Sequence, residues 1–167
     1  SELGVEGALG LTSYTMFFMV IGYTLGLVLI PRVLTQHQLL TLSAVLGILL
    51  AVAIPFTDPA SDSISAVIWG WTGVTTLPDP LACIALLGLA NAIVWPAVWP
   101  LALEGLGKFT ARGSALLIMG IAGGAVLPMV FGAIADAYGV LNAYWMTIPC
   151  YGFILFYALK GCRLKHW

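Results

Sequence analysis

The residues best suited to chemistry in this chain gather in one apolar run, 80–103. Asn91 lies near its middle, and Trp95 and Trp99 follow at four-residue steps. On a helix that spacing sets all three on one slowly drifting face. An amide both donates to and accepts from hydroxyl groups, and an indole face packs against the C–H face of a pyranose. The trio is therefore chemistry that a sugar asks for. The same residues also fit a plainer role, in which Asn91 bonds to another helix and the tryptophans face lipid or packing partners. Pro96 and Pro100 follow the two tryptophans directly. Each removes an intrahelical hydrogen bond, so the helix is expected to bend or unwind there. Tyr14, in the first apolar run, is a fourth candidate contact, placed toward the outer end.

Covalent chemistry has no visible machinery. The two histidines, His37 and His166, lie in polar flanks, and no HExxH or other metal spacing surrounds them. Gly-x-Ser-x-Gly is absent, and Arg112-Gly113-Ser114-Ala115 opens a helix. Cys83, Cys150 and Cys162 lack paired spacing and read as small apolar residues. An enzyme is disfavoured, and no cofactor, metal or nucleic acid is implied. No Asp, Glu, Lys, Arg or His lies near the middle of any apolar run. Ionisable residues within the membrane mark proton relays, so these 167 residues hold no proton carrier of their own.

The elements that must position Asn91 follow from composition. The chain is 61% hydrophobic and 8% charged, with a mean hydropathy of +1.05. Soluble domains carry about 25% charged residues, so this chain cannot cover a water-facing surface. A soluble enzyme, a nucleic-acid binder and a disordered chain are all excluded. Charged residues divide it into five apolar runs, 10–30, 38–56, 80–103, 113–135 and 141–161. At ~1.5 Å per residue each is long enough for the ~30 Å hydrocarbon core. Helices are required, because open strands would leave peptide groups unpaired in lipid. The fold class is all-α integral membrane, with five transmembrane helices. An external segment, 57–79, is too short in its apolar middle to span, and Trp69 and Trp71 suit a loop in the headgroup region.

Charge placement orients the helices. Arg32, Lys108, Arg112, Lys160, Arg163 and Lys165 all fall on one face, whereas Glu2, Glu6, Asp58, Asp62, Asp79 and Asp136 fall on the other. Only Glu104 joins the basic side. The positive-inside rule puts the C-terminus in the cytoplasm and the N-terminus outside. An odd span number with an external N-terminus, in a chain opening Ser1-Glu2 without Met, is expected of part of something larger. Glycines at four-residue steps add a packing signal. Gly120, Gly124 and Gly132 with Pro128, and Gly22 and Gly26 in the first run, form small-residue faces that allow close helix approach. Tyr144 and Trp145 read as belt aromatics at one boundary, and Trp167 at the other.

An ordered set of motifs over about 75 residues resembles a known family. Trp95-Pro96-Ala97-Val98-Trp99-Pro100-Leu101-Ala102-Leu103-Glu104-Gly105-Leu106-Gly107-Lys108 is similar to the tenth helix and following loop of the fucose/galactose/glucose:proton symporters, a bacterial branch of the major facilitator superfamily. Thr110-Ala111-Arg112-Gly113-Ser114-Ala115, Gly123-Gly124, Pro128 and Gly132-Ala133-Ile134-Ala135-Asp136 resemble its eleventh helix, and residues 151–161 its twelfth. Two positions depart from the pattern. Gly22-Tyr23-Thr24-Leu25-Gly26 stands where members often have Gly-Arg-Phe-x-Gly, and Pro100 replaces a usual Ser or Ala.

The resemblance implies that the five spans are helices eight to twelve of a twelve-helix transporter in the bacterial inner membrane. It also implies proton-coupled symport of a hexose or deoxyhexose by alternating access of two bundles. The proton-linked carboxylates would belong to the N-terminal helices, which would be this chain's partners together with sugar, proton and bilayer. Asn91, Trp95, Trp99 and Tyr14 would be the substrate contacts. The rival reading is a non-transporting membrane subunit, or a degenerate half-transporter, whose helices only pack.

Overall fold

A computed structural model describes residues 8–72 and 76–163 of the chain. Glu2, Glu6, Lys165, His166 and Trp167 lie outside the described residues. The described chain is all α-helical with short 3-10 turns: α1 (Ala8–Arg32), α2 (Gln36–Ala53), α3 (Ser63–Trp69), α4 (Asp79–Leu103), α5 (Thr110–Gly120), α6 (Gly123–Tyr138), α7 (Val140–Ala143) and α8 (Thr147–Leu159). Five segments among the described residues are long and apolar enough to cross a membrane: Thr12–Ile30, Gln36–Phe56, Asp79–Leu103, Gly107–Tyr138 and Val140–Leu159.

Local chemistry sets the helix ends. Ile30 leaves the helical region (φ −89°, ψ 124°) because the ring of a following proline, here Pro31, disfavours it. Thr35 caps α2 through a reciprocal box. Its hydroxyl accepts from the Gln38 backbone N–H at 3.3 Å, and the Gln38 side-chain oxygen accepts from the Thr35 N–H at 3.1 Å. α4 stays helical through Pro96 and Pro100. The expected unwinding is absent, and the packing of Val94, Ala97, Val98 and Leu101 against α2 and α8 holds these last two turns. The fourth span, by contrast, breaks into α5 and α6. Around Ile121 and Ala122 the bonds tighten to i→i−3, from Ile121 N–H to Ile118 and from Ala122 N–H to Met119.

α4 is the central element, packed by α1 on one side and α2 on the other, while α8 packs on α2 and reaches α4 through side chains. α1 runs parallel to it and approaches closely where glycine allows. A Cβ on Gly22 would lie 2.8 Å from Ala92 Cβ, and one on Gly88 would lie 2.6 Å from the Thr15 carbonyl oxygen. α2 crosses antiparallel, and buried Ser43 donates its hydroxyl hydrogen to the Ala90 carbonyl. The fourth span has no buried residue, and added Cβ atoms on Gly120, Gly123, Gly124 and Gly132 would meet nothing within 4 Å.

The segment between α2 and α4 is more ordered than a headgroup loop. Ser65 and Trp69, one turn apart on α3, both face inward. The Ser65 hydroxyl donates to the Leu77 carbonyl at 2.7 Å and accepts from the Leu77 N–H at 2.9 Å. Asp79 accepts from the Ile64 N–H at 2.8 Å. Trp69 is buried against Phe18, Leu77 and Leu81, whereas Trp71 is 82% exposed. Only the second of the two indoles is free to meet a headgroup layer.

Candidate functional site

Helical spacing along α4 leaves one stripe of the central helix uncovered. The α1 side takes Gly88, Ala92 and Ile93, and the α2 and α8 sides take Ala90, Ala97 and Val98. Asn91 and Trp95 remain exposed and Trp99 half-buried, each one turn beyond the last. The two indoles contact each other, with ring centroids 5.4 Å apart and planes at 52°. Together they form an aromatic wall from Asn91 toward the C-terminal end of α4.

Asn91 lies at the edge of a cavity of about 390 Å³ between α4, α6 and α8. That volume is within the ~300–1,000 Å³ of small-molecule sites. Its wall is mostly apolar, from Leu87, Leu127, Phe131 and Ile154, with Asn91, Thr147, Cys150 and Tyr151 as its polar members. Trp95 and Trp99 stand beside this cavity and do not line it. The Tyr151 hydroxyl donates to Asn91 Oδ1 at 2.7 Å across 60 positions of sequence. Asn91 therefore makes the interhelical bond of its plainer role while still facing open space.

Tyr14 is not brought to this group. Its ring lies 6.1 Å from Trp69, packed on the cluster of Phe18, Leu77, Leu81 and Ala85. The α4 members of that cluster, Ala85 and Leu81, precede Asn91 by six and ten positions, which is ~9–15 Å along a helix. Tyr14 belongs to the structural plug under α3.

Two residues of the site escaped the sequence reading. Tyr151 is 4% exposed in the middle of α8, and its ring fits because position 47 carries no Cβ; one built there would overlap the ring. The signal was one of three tyrosines in an apolar run and a Gly on another helix, and nothing local links the two. Among the described residues no three His, Cys, Asp or Glu side chains gather as a metal site. No ionisable side chain lines the cavity apart from Tyr151 and Cys150. The basic residues Lys108 and Arg112 lie far along the chain direction, flanking the Phe109 ring at 5.3 and 5.8 Å.

Known proteins bear on this geometry. Over 92 residues, 55% of this chain, it is 45% identical to a protein of Brucella abortus named glucose/galactose transporter. Over 88 residues, 50% of the chain, it is 37% identical to a protein of Helicobacter pylori provisionally named a glucose/galactose transporter. The chain spans about a fifth of the length of these relatives, 22% in each case. No protein-family model matches the chain, and no solved structure does. The chain is thus an all-α, multi-pass membrane segment similar to sugar transporters, as the motif run in 91–136 implies.

Proposed function

We propose that this chain forms most of the C-terminal bundle of a twelve-helix transporter that carries a hexose or deoxyhexose with a proton. The observation that carries the reading is the stripe Asn91–Trp95–Trp99. It is polar and aromatic, lies on the most enclosed helix, and keeps Asn91 and Trp95 exposed although Asn91 also accepts the bond from Tyr151. The relatives' names support a sugar as the transported solute. Their greater length supports further helices of the same protein as partners, and those helices would carry the proton. The two bundles would rock about a central site to expose it alternately to each side.

Helix directions support an orientation in the bacterial inner membrane. The ends of α1, α4 and α8 share one side with Lys108, Arg112 and Lys160, while Asp58, Asp62, Asp79 and Asp136 share the other. The basic side, with the C-terminus, faces the cytoplasm and the N-terminus of the chain faces outward.

Asn91 supplies hydrogen bonds to sugar hydroxyls, and Trp95, 44% exposed, supplies an apolar platform. Proton-driven uptake of D-glucose and D-galactose by the full-length protein tests this. Asn91→Ala should raise the apparent KM about tenfold, the equivalent of one or two hydrogen bonds. An unchanged KM would remove Asn91 from the site and leave it the structural role that its bond to Tyr151 favours.

A further inference from the structure

The cavity's polar groups are nearly all spent on the protein itself. Thr147 donates its hydroxyl hydrogen to the Tyr144 carbonyl at 2.7 Å, and the Cys150 thiol donates to the Met146 carbonyl at 3.5 Å. The Tyr151 hydroxyl is spent on Asn91 Oδ1. Asn91 lines the cavity and its Nδ2 takes no partner among the described residues, so that amide N–H₂ is the side-chain donor still unspent there.

The amide has two ways to face Tyr151, and they are not equivalent. With Oδ1 toward the phenol, the buried hydroxyl hydrogen has an acceptor at 2.7 Å. With the amide turned over, Nδ2 would donate to the phenol oxygen. The phenolic hydrogen would then lose the one acceptor that the described residues give it, which is costly. The ring packs directly on the backbone at Gly47, with no room there for a single added carbon.

We infer that Tyr151 is a positioning residue that locks Asn91 with its N–H₂ toward the cavity, so the site recognises a sugar oxygen as a hydrogen-bond acceptor. The inference rests on reading Asn91 as a substrate contact. α8, which itself offers no free donor to the cavity, thereby determines what α4 can read. Gly47 on α2 belongs to the same device, since it admits the ring that makes the bond.

The test uses the full-length protein in proteoliposomes with D-glucose and its series of deoxy and deoxyfluoro analogues. Fluorine accepts weakly and never donates, so it separates the two amide orientations. The sugar position that meets Asn91 is the one where the deoxy penalty disappears in Asn91→Ala. At that position the fluoro sugar should compete several-fold better than the deoxy sugar in the unmutated protein. In Tyr151→Phe that preference should vanish, with KM raised about three- to tenfold and the maximal rate largely kept. In an Asn91→Ala background, adding Tyr151→Phe should change KM no further.

Equal competition by fluoro and deoxy sugars in the unmutated protein would overturn the inference, and needs no variant to fold. So would a Tyr151→Phe effect of the same size with and without Asn91, which would mark a general packing loss. If instead Asn91→Ala leaves KM unchanged, it is the substrate role of Asn91 that fails.

Discussion

Adding one carbon to Gly88 should separate the two helices that frame the centre of this bundle. An alanine Cβ there would sit 2.6 Å from the Thr15 carbonyl oxygen, 2.9 Å from Thr15 Cγ2 and 3.2 Å from Met19 Cγ. The nearest of these is backbone, so no rotamer change relieves it, and ordinary contact near 3.4 Å requires α1 to retreat by about 0.8 Å. A gap of ~0.5–1 Å forfeits a quarter to a half of each dispersion contact along the seam. In lipid such packing, with few hydrogen bonds, is what holds helices together. The expected loss is about 1–3 kcal/mol. Gly22→Ala should cost a similar amount, because its Cβ would lie 2.9 Å from the Leu89 carbonyl oxygen. Gly26→Ala, whose nearest neighbour is Ile93 Cγ1 at 3.8 Å, should be neutral to within about 0.5 kcal/mol. The assay is the fraction of detergent-purified full-length protein that stays monodisperse after heating. Equal melting of the Gly88 and Gly26 variants would refute the argument from close approach.

Two further outcomes follow from other parts of the chain. Ser65→Ala should free Leu77, whose N–H and carbonyl both bond to that hydroxyl. Amide exchange at Leu77 should accelerate at least about tenfold, the equivalent of ~1.4 kcal/mol for a lost buried bond; unchanged exchange would show the clamp to be idle. For orientation, a membrane-impermeant maleimide should label Lys108→Cys only in inside-out vesicles and Asp62→Cys only in right-side-out cells. The reverse pattern would invert the assigned topology.

What could be read from the sequence is what depends on neighbours along the chain. Pro31 pushes Ile30 out of the helix wherever α1 happens to pack, and Pro78-Asp79-Pro80 marks the start of α4 in the same local way. The Thr35–Gln38 box was equally legible as a Thr-x-x-Gln before an apolar run, yet it passed unnoticed inside a span defined by hydropathy alone. Trp69 and Trp71 look alike in composition, and only the helical turn of α3 separates a core residue from an exposed one. The bond between Tyr151 and Asn91 depends on the register of α8 and α2 against α4. Hydropathy carries no information about register, since every side of these helices is apolar. The glycine rows have the same limit. Spacing says that something approaches closely, but Gly22 and Gly88 meet a helix of this chain while Gly124 and Gly132 do not.

The side-chain chemistry of Asn91 argues for a wet or occupied face on α4 more strongly than its position does. A bare amide group moved into hydrocarbon costs about 4–8 kcal/mol. In the same medium the bond from Tyr151 is worth about 4–6 kcal/mol, but it satisfies the oxygen alone and leaves both amide N–H donors uncompensated. Had the position existed only to bond Tyr151 in a lipid-facing seam, a serine or threonine would accept the same hydrogen. Its own hydroxyl hydrogen could then turn back to the preceding helical carbonyl, as Thr24 and Thr41 do here. An asparagine with its acceptor spent and two donors left over needs a further polar partner at mid-span, from water, a ligand or another helix. The exposed indole one turn away, tilted against its neighbour, supplies the apolar half of such a surface. A pyranose presents that same combination of hydroxyl edge and C–H face.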